Sequence, residues 1–341
     1  MATLKDIAKR LDMSITQVSR ALNDHSDVNE DTRDRVKRAA RAMNYHPNLS
    51  ARKLVSGRSG IVGLVVPQSD SLGTDGIFLQ VVSGLSAQFS GRGMQFVLHL
   101  MGETEPVLPV YQRLIGNGAL DGFVLIDPQD DDPRVAFLQR AGLPFVVHGR
   151  TVPVPDYPYF DIENESIFKD LTDHALSLGH RRIALVNGVA GRCYVTARSN
   201  GFAAAVAASG PGVDGIEVFG EMTEAHGLIS TMGLFSGRGP APTAILCGNV
   251  RIAKGVYQAL EALGLSVPRD VSVMAHDDHL PNLRASAFFP SLTVTKAPLS
   301  ESWKPLADAL AGAIDGRVLE ELQLVGRHEF IPRNSVAAPK S

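Results

Sequence analysis

Thr16 and Arg20 lie one helical turn apart, on the opposite side of a short segment from the apolar Val18 and Leu22. An exposed arginine in that setting can donate a bidentate pair to guanine O6 and N7. Ile15 falls near the apolar edge, so core packing and contact with a thymine methyl both suit it. Further along, Leu54 is flanked by Arg52 and Lys53. An apolar side chain between two cations fits either a minor-groove wedge or an ordinary linker. A second set of reactive or polar groups follows apolar runs. Asp70, Ser71, Asp75, Ile77 and Phe78 come after one run, and Arg192, Cys193, Tyr194, Thr196 and Arg198 after another. Asn249 and His276-Asp277-Asp278-His279 follow two more. A fixed arginine, a carboxylate and an amide together can hydrogen-bond neighbouring hydroxyls, and an aromatic ring can cover an apolar sugar face. The same residue types also serve as caps and turns at strand ends.

Elements must exist to position these groups. Leu4, Ile7, Ala8 and Leu11 follow the spacing of one helical face, and Asp12-Met13-Ser14 interrupts it. Ser14 with Gln17 matches a capping box, so a second helix starts at Ile15, carries Ile15, Val18 and Leu22 inward and ends near Asn23-Asp24. Asn29 caps a third, with Glu30 and Asp31 suiting the dipole and Val36, Ala39, Ala40 and Met43 as its stripe. Two short helices joined by a tight turn and braced by a third describe a helix-turn-helix; any three-helix mini-bundle would show the same periodicity. The outward Thr16 and Arg20 and the basic segment that ends in Leu54 favour the first, and charge has a separate message. Residues 1–58 hold 12 Lys+Arg against 7 Asp+Glu, whereas the rest holds 21 against 29. A basic head on an acidic body points to a polyanion partner for the head alone.

The order of these residues resembles the lactose-repressor (LacI/GalR) family of bacterial transcription regulators. The resemblance is carried by T-L-K-D-I-A-K-R-L, M-S-I-T-Q-V-S-R-A-L-N, V-N-E-D-T-R-D-R-V and N-Y-H-P-N-L-S-A-R-K-L, and is most specific over residues 3–58. It implies DNA contacts from Thr3, Ser14, Ile15, Thr16, Gln17, Ser19, Arg20, Asn23, Asn29 and Tyr45, and from Asn48, Ala51, Arg52 and Leu54 in a hinge helix that folds on DNA. It also implies a periplasmic-binding-protein-like core holding a small effector, a sugar or sugar derivative, between two lobes. The candidate effector contacts are Asp75, Phe78, Arg192, Tyr194, Arg198, Met222, Asn249 and Asp277.

The body agrees. Gly60–Val66, Gln95–Leu100, Gly122–Ile126, Phe145–Val147, Arg182–Val186, Thr243–Leu246 and Val271–Met274 are apolar runs alternating with helical patterns. That is the signature of doubly wound parallel sheets. The expected organisation is a helix-turn-helix domain over 1–46, a hinge helix and linker over 47–59, and an effector-binding and dimerisation core over 60–341. Lobe 1 is expected at about 60–158 and 293–320, and lobe 2 at about 159–292 and 321–335. The proline-rich Val152–Pro158 is the expected first crossing between lobes, with two more implied near Pro290–Thr293 and Leu319–Leu322. Ligands of such sheets sit beyond the strand carboxyl ends.

Several positions depart from the family pattern. The usual Asn-Asp is Asn249-Val250, Gly-aromatic-Asp is Ala275-His276-Asp277, Asn-Pro-aromatic-aromatic is Asp75-Gly76-Ile77-Phe78, and Met222 stands where some relatives carry a stacking aromatic. A small polar ligand still suits the cleft, but its identity cannot be borrowed. Enzymatic readings are weak. No general base accompanies Cys193 or Cys247, no phosphate loop precedes or follows the first strand, and His276–His279 lacks a convergent metal spacing. Neither cofactor nor metal is expected. Two cysteines and the absence of a membrane-length apolar run suit a cytoplasmic protein, nucleoid-associated when bound to its operator. The expected partners are operator DNA, the effector and a second copy of the chain, with a tetramer left open. A sugar-binding or sugar-processing protein with a vestigial head is the alternative.

Overall fold

A computed structural model of the chain describes residues 2–22, 25, 27–45, 58–68, 76–102, 104–237, 239–280 and 282–340. It divides into two units, Met1–Gly60 and Ile61–Ser341. In the first, α1 (Leu4–Leu11), α2 (Ile15–Leu22) and α3 (Glu30–Ala42) each begin with a side-chain cap. Thr3 and Asp6 form a capping box at α1. Ser14 and Gln17 form a second at α2, each side chain taking a backbone N–H of the other at 3.1 Å. At α3, Asn29 Oδ1 accepts from Thr32 N at 2.8 Å. Caps matter here because helices this short are marginal alone. Asp12 closes α1 at φ 51°, a left-handed conformation that aspartate tolerates, and swings the chain into α2. The helices bury Ile7, Ala8, Val18, Ala21, Val36, Ala39 and Ala40 together. Ile15, expected inward, is instead 47% exposed. Val18 and Ala21 close the core and leave the first residue of α2 outside it.

The second unit holds two six-stranded sheets. In chain order the first-sheet elements are β1 (Ile61–Pro67), α4 (Gly76–Gly91), β2 (Gln95–Met101), α5 (Val107–Gly116), β3 (Gly122–Leu125), α6 (Pro133–Ala141), β4 (Phe145–His148) and β5 (Tyr159–Ile162). The second-sheet elements are α7 (Asn164–Ser177), β6 (Arg182–Asn187), α8 (Cys193–Ala208), β7 (Asp214–Phe219), α9 (Glu224–Ser236), β8 (Ala244–Cys247), α10 (Val250–Ala262), β9 (Ser272–Asp277) and β10 (Thr293–Lys296). The chain then returns through α11 (Trp303–Ile314) and β11 (Gln323–Gly326) to the first sheet, and ends with β12 (Glu329–Ile331) in the second. The strand orders are β11-β5-β4-β3-β1-β2 and β12-β10-β9-β8-β6-β7. All ladders are parallel except β10 with β12. Side chains alternate across the central strands and bury both faces. Val62, Leu64, Val124, Val146 and Phe160 meet α4 and α11, while Val65, Phe123, Leu125, Phe145 and Val147 meet α5 and α6. In the second sheet Val186, Ile245, Val273 and Val294 meet α10, while Ile183, Leu185, Leu246 and Met274 meet α7 and α8.

The crossings between lobes differ from those expected. β5 belongs to the first sheet and β10 to the second, so the chain crosses at residue 163, between 296 and 299, and between 326 and 329. Val152–Pro158 is a turn inside lobe 1, closed by Tyr157 Oη, which accepts from Thr151 N at 2.7 Å. The expected boundaries failed because β5, β10, β11 and β12 are only three or four residues long. β10, Thr-Val-Thr-Lys, hides its polar alternation by pairing: Thr293 Oγ1 accepts from Arg333 N at 2.8 Å. Ile162, at the first crossing, and Ile77, at the start of α4, pack on the cores of both lobes.

Helices on the second sheet meet backbone to backbone. A Cβ at Gly201 of α8 would lie 1.9 Å from Glu165 O of α7, and one at Gly255 of α10 would lie 1.9 Å from Glu224 O of α9. Gly255→Ala is therefore expected to destabilise the core by about 3 kcal/mol or more, because backbone cannot yield as a side chain can. Gly233 on α9 has open space at its Cβ position, and Gly233→Ala is expected to be neutral or stabilising by up to about 1 kcal/mol. Denaturant unfolding of both variants checks the contrast, which equal midpoints would refute.

Candidate functional site

Three side chains expected on DNA form one surface of α2: Ile15, Thr16 and Arg20 are exposed, with Gln17 beside them, and Val18 and Ala21 are fully buried behind. Ser14, Thr3 and Asn29 are exposed too, but their side chains already serve as caps. Ser19 is half-buried, and Tyr45 packs half-buried against the helical core. Asn23, Asn48, Ala51, Arg52 and Leu54 lie outside the described residues, as does Asp75.

In the body one guanidinium organises the strand ends. Arg198, on the first half of α8, is 4% exposed. Its Nε donates to Asn164 Oδ1 and its Nη1 to the carbonyl of Gly248, both at 2.9 Å. The Phe168 and Tyr194 rings lie on it, with centroids 5.3 and 5.0 Å away. Asn164 begins α7 just after the first crossing and donates to Asp161 Oδ1 at 3.3 Å. Asp161, on β5, accepts from Arg150 Nε at 2.8 Å. A relay thus runs from Arg150 and Asp161 in lobe 1, through Asn164, to Arg198 and the β8 terminus in lobe 2.

Three of the residues expected to meet effector, Tyr194, Met222 and Asn249, lie at Arg198 or at the Gly248 backbone it binds. Tyr194 stacks on the guanidinium, and Met222 Sδ reaches to 3.1 Å from where a Cβ on Gly248 would sit. Asn249 is 1% exposed and spends its Oδ1 on the Ile252 N–H at 2.9 Å, capping α10. Phe78 packs half-buried on the lobe 1 core. Two expectations shift. Asp277 is the last residue of β9, and its Oδ1 accepts from His279 N at 2.7 Å. The charge of Asp278, its neighbour, acts on Arg198, as does that of Asp161. Arg192 is engaged across the lobe boundary. Its Nη1 donates to Asp127 O at 3.1 Å and its Nη2 lies 3.3 Å from Asp127 Oδ2. Thr196 Oγ1 donates to Asp130 Oδ2 at 2.5 Å, and Cys193 N to Pro128 O at 3.1 Å, along the same seam.

Asp161 and Asn164 escaped the sequence reading because β5 is too short to register as a strand, whereas His148 and Arg150 stand at the end of β4, a run that was legible but whose end was not followed. The strand-end rule, applied to β4 and β5, would have found all four. His276 is fully buried within β9. Its Nε2 lies 3.2 Å from Asp278 Oδ1, off the hydrogen-bond axis, and its Nδ1 pairs with Thr295 Oγ1 at 3.2 Å. Among the described residues no three His, Cys, Asp or Glu side chains are placed to hold a metal ion. Among them, too, no helix is long and apolar enough to cross a membrane.

Comparison with known proteins gives this architecture a family. A model of bacterial regulatory proteins of the lacI family matches residues 3–48, and a periplasmic binding protein-like domain matches residues 172–336. The HTH-type transcriptional regulator AglR of Rhizobium meliloti (strain 1021) is 36% identical over 334 residues, 97% of this chain and 93% of that one. The chain belongs to the LacI family. RafR of Escherichia coli, another HTH-type transcriptional regulator, is 32% identical over 99% of both chains. Among solved structures, the complex of the transcriptional regulator CelR with cellobiose aligns with TM-score 0.71 at 28% identity, over 98% of this chain and all of that one. A lac repressor dimer bound to operator shares the fold, with TM-score 0.79 at 23% identity over 99% of each chain. These relatives are regulators of transcription rather than enzymes.

Burial sets the charge states of this LacI-family core. It pulls the Arg198 guanidinium down from its ordinary value, with Asp278 opposing, yet an arginine stays charged. Burial would raise Asp278, but His276, Arg198 and His148 hold its carboxyl below the usual range. The Tyr194 hydroxyl is pushed up to about 12 by burial, so it is a neutral donor. Desolvation holds His148, His174, His180, His226 and His276 below the ordinary histidine value. Each is neutral in the fold, and the unfolded chain binds the extra protons below about pH 6.5. Their contribution is complete above that pH and is lost as pH falls below it. Tm is expected to drop between pH 6.5 and 5.5, and a flat thermal-denaturation profile across that interval would contradict the assignment.

Proposed function

We propose that this LacI-family chain is a cytoplasmic repressor of a carbohydrate-utilisation operon. It binds a two-fold operator as a homodimer and is switched by a small uncharged polar effector, a sugar or sugar derivative, between the lobes. The observation that carries the effector reading is the relay from Arg150 through Asp161 and Asn164 to Arg198. It fixes a buried cation at strand carboxyl ends, with Arg198 Nη2 making no hydrogen bond among the described residues. Such a donor suits a hydroxyl. A phosphate suits it less, because Arg150 is paired with Asp161, and Asp278 already faces Arg198. No surplus cation is left for a dianion. The cellobiose complex of CelR and the ribose operon repressor of Escherichia coli, 28% identical over 95% of this chain, carry sugars in their names and support the same class.

A second copy suits the exposed apolar side chains. Val97 and Leu100 on the edge strand β2, with Leu79 on α4, and Phe219 on the edge strand β7, with Ile229 on α9, are 43 to 69% exposed. Large exposed apolar groups along sheet edges mark association surfaces. One helix-turn-helix reads half a site, so a dimer matches a two-fold operator.

Two outcomes are expected. Arg198→Ala loses the effector response while leaving operator affinity without effector near wild type, since a charged hydrogen-bond partner in a buried site contributes about 1.5–3 kcal/mol. Thermal-shift screening of neutral saccharides against sugar phosphates, followed by gel shifts with the active ligand, tests it; a phosphate that stabilises best, or a variant that still responds, removes the reading. Arg20→Ala and Thr16→Ala are expected to lose roughly 1–3 kcal/mol of base discrimination while keeping salt-dependent binding to unrelated DNA. Undiminished discrimination in a salt-controlled gel shift would move the reading surface off α2.

A further inference from the structure

The arginine on the exposed face of α2 is not solvated alone. Arg20 Nε donates to Asp27 Oδ1 at 3.2 Å, and its Nη2 lies 2.7 Å from Asp27 Oδ2. Asp27 sits in the turn between α2 and α3, so the two side chains come from opposite ends of that connection. The contact is a side-on fork, with both carboxylate oxygens on the Nε–Nη2 edge. Both groups stay about half exposed, at 46% and 54%. An exposed ion pair contributes little to folding, and the head's core of Ile7, Val18, Ala21 and Val36 makes no use of it. The pair therefore calls for an explanation outside the stability of the head.

The geometry of a guanidinium supplies one. Of its five N–H groups, a side-on carboxylate takes the Nε–H and one Nη2–H. The outer edge, one hydrogen on Nη1 and the second on Nη2, stays available, and that edge has the spacing of a bidentate contact to guanine O6 and N7. A carboxylate on one edge fixes the plane of the fork and removes rotamer freedom before DNA arrives. It also places a negative charge near the phosphates, which taxes binding to every sequence alike. Only the first effect raises discrimination, because a tax that falls on every sequence alike leaves the ratio of affinities unchanged.

We infer that Asp27 is a specificity-determining positioning residue, which buttresses Arg20 so that its outer guanidinium edge reads one guanine in each operator half-site. The inference rests on the reading of α2 as the base-contacting helix, and the test separates the two. Full-length wild type, Arg20→Ala, Asp27→Ala, Asp27→Asn and the double variant Arg20→Ala/Asp27→Ala are put through binding-site selection from a randomised palindrome. Affinities for the selected operator, its single-base variants and unrelated DNA are then measured across salt concentrations. Arg20→Ala should flatten the preference at one base pair per half-site, a loss of roughly 5- to 150-fold. Asp27→Ala and Asp27→Asn should lower the preference at that same base pair by roughly 5-fold and spare the other positions. Affinity for unrelated DNA should stay level or rise, with Tm unchanged. In the double variant Asp27→Ala should add nothing to the loss from Arg20→Ala, the mark of a residue acting through its partner.

If Arg20→Ala flattens no position, the reading of α2 is wrong. If it flattens one that Asp27→Ala leaves intact, the buttress is wrong while the reading stands. A uniform gain on all sequences from Asp27→Ala, with the preference preserved, would reduce Asp27 to a repulsive charge and overturn the inference. A Tm loss in the Asp27 variants matched by equal loss on every DNA would overturn it as well, since that pattern belongs to a brace of the fold.

Discussion

A guanidinium that keeps almost no water must be solvated by the protein itself, and Arg198 sets that demand at the centre of the core. The solution draws on both lobes. Asn164 and the Gly248 carbonyl take two of its donors, and two aromatic rings cover its faces. Asn164 is in turn held by Asp161, and Asp161 by Arg150. None of these groups can move far without leaving a buried polar atom unpaired. The strand ends of both sheets are therefore tied at the first crossing, where Ile162 packs on both lobe cores.

That tie is one of several between the lobes, and they differ in kind. The crossings are covalent and carry apolar side chains. The seam from Asp127 to Asp130 against Gly191 to Thr196 is polar and partly exposed, with Arg192 Nη2 3.3 Å from Asp127 Oδ2. Two lobes joined by three short crossings and a polar seam are built to open and close about the crossings. Any ligand between the two lobes would bias that motion by its differential affinity for the two arrangements. Arg192 then matters to the cleft as part of its rim, a role the strand-end position alone did not suggest.

Legibility followed element length. Long apolar runs such as Ile61–Val66 and Arg182–Val186 announced themselves as buried parallel strands, and the capping residues Ser14 and Asn29 marked helix starts to the residue. β5, β10, β11 and β12 carried no such signal. A strand of three or four residues in a sheet is specified by the neighbours that pair with it, and those neighbours are distant in sequence. The lobe boundaries drifted for this reason, and Asp161 and Asn164 were missed with them. That the charge of Asp278 acts on Arg198 was illegible for a different reason. Successive residues at a strand end point opposite ways, and where β9 ends depends on its pairing with β10.

The head shows how little core a specific surface needs. Among the described residues, a cluster of seven buried side chains, four of them alanines, holds three helices. A core that small leaves a narrow margin, so the caps carry a large share of the stability. Ser14 and Gln17 illustrate the economy. Gln17 turns its carbonyl oxygen to the Ser14 N–H at 3.1 Å, which leaves its amide NH₂ as a donor on the exposed side of α2. Arg20 is arranged alike, with one edge on Asp27 and the other toward solvent. In both, an internal hydrogen bond consumes one half of a bifunctional side chain and orients the other. A small domain thus gains rigid, directional donors on its surface without enlarging its core, and rigidity in the unbound state is what makes a base contact selective.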